Sequence, residues 1–349
     1  MLKIWGSAVA ISLLRFHCYL SRNGTGLSIA IFFEWVTEVL EGKNSKKDFH
    51  YYPLPGTKPH PFQSIFLSLE FKKLNMIKTI DTSQVTPAES IQYLQNAVAP
   101  RPIALVSTVD SQGNVNLSPF SFYNVFSSNP PILVFSPSRR VRNTTTKHTL
   151  ENIEEVRECV INTVSYDIVH QSSLSSTEYE KGVNEFQKAG LTEVPSMKVR
   201  PPRVKESKAS FECKVRDLIY LGEGGGAGTL VVCEVLMIHV DESVLNERGL
   251  IDTRKIDLVG RMGESWYTHS NGDSLFEIPK PLATKGIGVD ALPDEIRLSK
   301  VFTGNDLAML GNVEILSGDF FKNDENTHRH AKDLLRDGDV EGAWNILRK

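Results

Sequence analysis

Two adjacent clusters in the middle of the chain hold the residues best suited to chemistry. The first lies in "VNLSPFSFYNVFSSNPPILVFSPSRR" (Val115–Arg140), a segment that reads as two strands. Ser118, Ser121, Asn124, Ser127, Ser128 and Asn129 crowd into its centre, between aromatics and just before Pro130-Pro131. A strand made only for a core alternates apolar and polar side chains. This density of small polar groups instead suits a wall that holds a polar ligand. Ser107, Thr108, Ser118, Ser121 and Asn124 offer hydrogen bonds to a ring edge and a polyol chain, and Pro119, Phe120 and Phe122 can flank a flat ring. The second cluster is "SPSRRVRNTTTKHT" (Ser136–Thr149), where Arg139, Arg140, Arg142 and Lys147 stand among threonines just before a helix. Cations and hydroxyls at a helix N-terminus are what a terminal phosphate needs. A solvated basic loop has the same composition. Side by side, the two clusters point to a phosphorylated, ring-bearing ligand.

The remaining motifs offer no protein-borne catalyst. Gly222–Thr229, "GEGGGAGT", lacks the Lys-Ser/Thr ending of a phosphate loop and is flanked by strands on both sides, so it reads as a mobile hairpin tip. His269, His328 and His330 have no metal-type partners in sequence, and His239 lies in a strand as a packed histidine. Cys18, Cys159, Cys213 and Cys233 form no CxxC pair, which argues against zinc. The last three sit in apolar runs, as buried free thiols of a reducing compartment do. With no Ser/His/Asp order and no paired carboxylates, the chemistry of an enzyme here belongs to a bound cofactor.

The elements that position these clusters are mostly strands. "PIALVSTVD", "PPILVFSPS", "ECVINTV" and the long pair "ASFECKVRDLIYLGE"/"GTLVVCEVLMIHVDE" are rich in β-branched residues, and the last two read as a hairpin. Thr86-Pro87-Ala88-Glu89 caps a helix running to about Val98, after a short strand that starts at Met76. A further helix follows Thr146 or Thr149 as its cap, and another ends at Gly190. Six or seven strands with inserted helices argue for a small antiparallel barrel over a doubly wound sheet. After Pro281 comes a loop-rich stretch with a possible last strand. The tail forms two short helices around Gly338, with Leu334, Leu335, Trp344 and Leu347 as their apolar stripe.

The 349 residues carry a net charge of −3, so no global field recruits nucleic acid. The first 75 residues differ from the rest: they are aromatic-rich and balance at +4, against −7 for the remainder. Ile4–Leu14 resembles a signal-peptide core but lacks a small-residue cleavage site and is too short to span a bilayer. A second apolar stretch, Leu27–Leu40, is interrupted by Glu34 and Glu38, and "HYYPLPGTKPHPF" is a Pro-rich irregular segment. Residues 1–75 therefore read as an extension outside the working fold, a start-site artefact or a targeting segment. Residues 76–281 form the working domain and 282–349 a C-terminal extension.

"RPIALVSTVDSQGNVNLSPFSFYNVFSSNPPILVFSPS", "KHTLENIEE", "FECKVRDLIYLGEGGGAGTLVVCEVLMIHVDE" and "DLVGRMGESWY" resemble the flavin reductase-like proteins with an FMN-binding split barrel, which include the flavoredoxins. The resemblance runs from about Met76 to Pro281. It implies a mainly β fold, a six-stranded antiparallel Greek-key split β-barrel with peripheral helices, working as a cytoplasmic homodimer. It implies FMN as cofactor and NADH or NADPH as co-substrate. By position, Ser107, Thr108 and the run Ser118, Pro119, Phe120, Ser121, Phe122 and Asn124 would line the ring and ribityl chain. Ser136, Arg142, Lys147 and Thr149 would serve the phosphate, and Arg261, Trp266 and Tyr267 would face the nicotinamide or substrate. The chain has His148 where many members have Asp, and "GRMGESWY" lacks the Gly-Arg-x-His form of the short two-component reductases, which favours tightly held FMN. The implied activity is hydride transfer from NAD(P)H through FMN to free flavin, a flavin-dependent monooxygenase or another acceptor. The alternative is a flavoredoxin-like electron carrier without NAD(P)H activity. Neither nucleic acid nor membrane is an expected partner.

Overall fold

The structure, a computed structural model, describes residues 11–23, 26–38, 77–278, 285–315 and 321–348. The chain divides into two compact units, Met1–Ile77 and Lys78–Lys349. In the first, β1 (Ile11–Asn23) and β2 (Gly26–Glu38) pair antiparallel without a register break. The apolar runs read at Ile4–Leu14 and Leu27–Leu40 fall partly on these strands. Met76 and the Pro-rich segment 50–62 lie outside the described residues.

In the second unit, residues 77–80 are irregular where the sequence suggested a strand. Helix α1 (Pro87–Ala97) starts where the capping box placed it. Thr86 Oγ1 accepts from the Glu89 amide at 3.2 Å, and Glu89 Oε2 accepts from the Thr86 amide at 3.0 Å. The main sheet is built from β3 (Ala104–Val109), β4 (Val115–Phe120), β5 (Tyr123–Ser128), β6 (Pro131–Phe135), β7 (Glu158–Thr163), β10 (Ala209–Tyr220) and β11 (Thr229–Val240). Two-residue strands β8 (Glu193–Val194) and β9 (Arg203–Val204) pair separately, as do β12 (Val259–Arg261) and β13 (Tyr267–His269).

All pairings in the main sheet are antiparallel, in the order β4-β3-β7-β10-β11-β6-β5. The sheet has seven strands, within the six or seven read from the sequence and one more than the resemblance implied. Val115–Arg140 contributes three strands rather than two, because the chain breaks at Ser121-Phe122. The reason is topological. β4 and β5 are the two opposite edges of the sheet, and only two residues join them. Three Cα–Cα steps span at most about 11 Å. The two edges therefore meet at that end, and the crossover residues lie at the seam.

One sheet face packs Val106, Phe120, Phe135, Cys159, Ile161, Cys213, Val231 and Cys233 into a core. On the other side Leu105, Leu117 and Val164 pack with Ile168 and Phe186, beside α3 (Val169–Leu174) and α4 (Glu185–Ala189). β3 is thus buried on both faces along its whole length, which explains its near-continuous apolar run. The exposed edge of β4 is covered from α4: the Leu117 amide donates to Glu185 Oε2 at 2.9 Å. Burial raises the pKa of that carboxyl, and the bond from Leu117 opposes the rise. Gly190 ends α4 at φ +66°, as its C-cap.

Helix α2 (His148–Val156) packs on β3 and β4. The C-terminal residues form α5 (Asp294–Arg297), α6 (Gly304–Gly311), α7 (Glu325–Arg336) and α8 (Val340–Leu347) around their own core of Leu310, Leu335, Trp344 and Leu347. The described residues 285–315, where the sequence suggested a possible last strand, contain none. No helix among the described residues is long and apolar enough to cross a membrane.

Candidate functional site

The polar wall lies along the seam. Ser118 and Pro119 are half-buried on β4, opposite Val106 and Leu105 of β3, and Phe120 is buried. Ser121 and Phe122 form the half-buried crossover, and Asn124 is exposed on β5. The seam is organised by Arg101, a residue the sequence reading passed over. Its guanidinium is buried and donates to the carbonyls of Gln95 (2.5 Å), Val98 (2.7 Å) and Met262 (2.8 Å) and to Ser121 Oγ (3.4 Å). It also sits 6.0 Å from the Phe122 ring centre. Arg101 thus ties the end of α1, the crossover and the β12–β13 turn together. Its partners are scattered along the chain, and the one local cue is a charged residue next to an apolar strand.

Three predicted residues do not reach this surface. Ser107, Thr108 and Thr149 are fully buried. Ser107 donates to the Pro202 carbonyl, Thr108 Oγ1 accepts from Asn152 Nδ2 at 3.1 Å, and Thr149 Oγ1 accepts from Asn116 Nδ2 at 3.2 Å. These hydroxyls join β3, β4 and α2 from within.

The cationic cluster is a surface loop between β6 and α2. Neither expected threonine caps α2. Thr149 is engaged inside, and Thr146 Oγ1 donates to Glu151 at 2.8 Å. Lys147 takes the N-cap position without a side-chain cap; the Leu150 and Glu151 amides donate to its carbonyl, at 2.9 and 3.3 Å, which leaves the His148 and Thr149 amides as the open donors of the first turn. The Lys147 ammonium is half-buried, 5.5 Å over the Phe120 ring. Burial, and then the charge of Arg140, push its pKa below the usual lysine range. Among the described residues no carboxylate lies within ion-pair distance of it. Arg140 and Arg142 both reach Glu178, at 3.1 and 2.5 Å.

The Gly-rich tip is the expected hairpin between β10 and β11, and it is fastened to this loop. Arg139 N donates to the Ala227 carbonyl (2.9 Å), Gly226 N to that of Arg139 (3.0 Å) and Thr229 N to that of Pro137 (3.1 Å). A Cβ at Gly225 would lie 2.8 Å from the Val141 carbonyl oxygen, and one at Gly228 2.6 Å from Ser136 Oγ. The glycines let two backbones approach, so the tip shapes the cationic loop.

The third group lies on the β12–β13 hairpin, which joins the seam through paired backbone bonds between Arg101 and Arg261 (2.9 and 2.8 Å). Arg261 stacks 4.7 Å from the Tyr267 ring centre, and Trp266 projects into solvent, 73% exposed. Beside them is a cavity of about 310 Å³ lined by Tyr166, His170, Ser173, Tyr267 and His269. His269 Nε2 lies 2.7 Å from Asp257, and its ring stacks on Tyr166 at 4.2 Å. The structure thus brings Ser118–Asn124, Lys147 and Arg261–Tyr267 together around Phe120, Arg101 and the crossover. His328 is elsewhere, buried between Ser299 Oγ and the Lys322 carbonyl, each at 2.8 Å. No group of three potential metal ligands occurs among the described residues.

The chain is similar to known proteins. An uncharacterized protein of Aquifex aeolicus is 36% identical over 181 residues, covering 52% of this chain and 90% of its own. Among solved structures, nitrilotriacetate monooxygenase component B from Bacillus cereus is similar with a TM-score of 0.55 and 27% identity, over 58% of this chain and 100% of that one. The 2-nitrobenzoate 2-nitroreductase of Pseudomonas fluorescens is similar with a TM-score of 0.52 and 25% identity, over 60% and 100%. The family model for the flavin reductase like domain matches residues 97–257, which span the seam, the cationic loop and the glycine hairpin. With its sheet, its relatives and this match in agreement, the chain belongs to the flavin reductase-like family.

Proposed function

We propose that Lys78–Lys349 binds FMN and acts as an NAD(P)H-dependent flavin oxidoreductase, passing electrons to free flavin, a flavin-dependent monooxygenase or another acceptor. The observation that carries this reading is Lys147: a half-buried ammonium with depressed pKa, beside an uncapped helix start and two arginines. Such a group lacks an anion, and a phosphate monoester supplies one. The residues fit FMN as a whole, because a hydroxyl-lined seam with half-buried Pro119 and Phe122 adjoins that cluster.

FMN, when bound, supplies the hydride and electron chemistry. The chain supplies position and charge. Lys147, Arg140, Arg142 and the α2 amides hold the phosphate, with Ser136 at the edge of the loop. Ser118, Ser121 and Asn124 bond the ring edge and ribityl chain, while Ser107, Thr108 and Thr149 fix the strand and helix behind them. Tyr267 lines the cavity that takes the nicotinamide, with Arg261 and Trp266 beside it on the same hairpin. Component B of nitrilotriacetate monooxygenase, similar in fold and sequence, supports a monooxygenase partner. Val125 and Phe126 on edge strand β5 are 65% and 69% exposed, which supports a homodimer that covers them. The buried cysteines accord with a reducing, cytoplasmic setting.

The test is anaerobic mixing of FMN-loaded protein with NADH and, separately, NADPH. Loss of the oxidised flavin absorbance with either supports the oxidoreductase. A flavin that binds but stays oxidised with both leaves an electron carrier, and protein that takes up no FMN overturns the reading.

A further inference from the structure

Glu178 stands inside the cation cluster assigned to the phosphate. It comes from the segment between α3 and α4, more than thirty residues beyond the loop. Its Oε1 accepts from Arg140 Nε at 3.1 Å and its Oε2 from Arg142 Nη2 at 2.5 Å. Arg140 Nη1 donates to Thr145 Oγ1 at 2.9 Å and to the Thr146 carbonyl. A guanidinium offers an anion two donors along one edge. On Arg140 one edge is therefore engaged by Glu178 at Nε, and the other by the loop's own oxygens at Nη1.

The charges tell the same story. Partial burial alone would raise the Glu178 pKa. The Arg140 hydrogen bond and the charges of Arg142, Arg140 and Lys147 outweigh it and hold the carboxyl below the usual range. In return, the charge of Glu178 raises the pKa of Lys147, against the larger effects of burial and Arg140. One carboxylate is thus coupled to all three cations assigned to the phosphate.

We infer that Glu178 is a resident counter-anion that occupies arginine donors the flavin phosphate needs, so that FMN binds by displacing it. This inference rests on reading the cluster as the FMN phosphate site. A bound phosphate monoester carries a charge of roughly −1.5 to −2 near neutrality. It cannot share Arg140 and Arg142 with a carboxylate without repulsion. Exchange of one anion for the other leaves the arginines with a counter-charge in both states, and the phosphate grip is weaker than the number of cations suggests. A positioning role, in which Glu178 aims the arginines at the phosphate, predicts the opposite sign.

The experiment compares wild type with Glu178→Gln and Glu178→Ala, titrating each with FMN and with riboflavin and following quenching of flavin fluorescence. Glu178→Ala also removes the amide oxygen that Gln could still offer Arg140. Both variants should bind FMN about fivefold to tenfold tighter than wild type, the scale of one ordinary hydrogen bond regained at an exposed site, with riboflavin affinity unchanged. Unchanged or weaker FMN binding in both variants overturns the counter-anion role while leaving the phosphate site standing, provided wild type prefers FMN to riboflavin. A wild type without that preference overturns the site and the counter-anion together. A gain shared by riboflavin places the effect away from the phosphate and also overturns the inference.

Discussion

The buried hydroxyls behind the seam and the cationic loop beside it use the same residue types to opposite ends. Ser107, Thr108 and Thr149 each have a protein partner, with Pro202, Asn152 and Asn116 completing the pairs. A buried hydroxyl paired with protein specifies geometry, and its burial keeps it from a ligand at the surface. In the loop, Lys147 has an aromatic face beneath it, a cation beside it and, among the described residues, no carboxylate within ion-pair distance, and α2 begins without a side-chain cap. The unsatisfied cation, more than the density of hydroxyls, marks a binding site.

The largest expected effect breaks the inner side of this comparison. Arg101→Ala removes the donor shared by three carbonyls and Ser121. Losing several buried bonds at once should cost about 3 kcal/mol or more of stability, read from denaturant unfolding, and should weaken riboflavin and FMN alike. Thr149→Val is a milder version. It leaves Asn116 Nδ2 without its acceptor, which should cost about 1–2 kcal/mol in the same assay, while the ratio of FMN to riboflavin affinity holds. A changed ratio would move Thr149 to the ligand side.

The smallest effect is a pH dependence on the outer side. In the proposed site it is the protonated Lys147 that holds the phosphate, and the pKa of this ammonium is lowered. FMN affinity should therefore be flat above the second phosphate ionisation, at about pH 6, and fall as pH rises through that depressed lysine value, before ordinary lysines titrate. The slope is at most about tenfold per pH unit. Lys147→Arg should keep its affinity across the same range, since a guanidinium stays charged. An identical decline in both proteins would assign the titration to another group.

Local signals in the sequence were legible where a rule involves neighbours. The Thr86–Glu89 capping box, the Gly190 stop, the β10–β11 hairpin and the tail helices around Gly338 are cases of this kind. The split of Val115–Arg140 into three strands was not legible, because the break at Ser121-Phe122 follows from which sheet edges β4 and β5 join. Ser107 and Thr108 looked like ligand-facing residues because β3 is buried on both faces, which removes the alternation that would separate inside from outside. Arg101 and Glu178 were invisible for a different reason. Each acts through partners brought close only by the fold, Met262 in one case and Arg140 in the other. The glycines of the hairpin tip were recognised as a turn, but the closeness of Gly225 to Val141 depends on another segment's backbone.

The account stands most directly on the selectivity of Lys147 for phosphate. Equilibrium titration of wild type and Lys147→Ala with FMN and with riboflavin isolates it, since the two ligands differ only in that group. Wild type should prefer FMN, and Lys147→Ala should lose about 1.5–3 kcal/mol of FMN binding, roughly tenfold to a hundredfold, with riboflavin unaffected. Equal losses for both ligands, or no preference in wild type, would contradict the assignment of the cationic loop as the phosphate site.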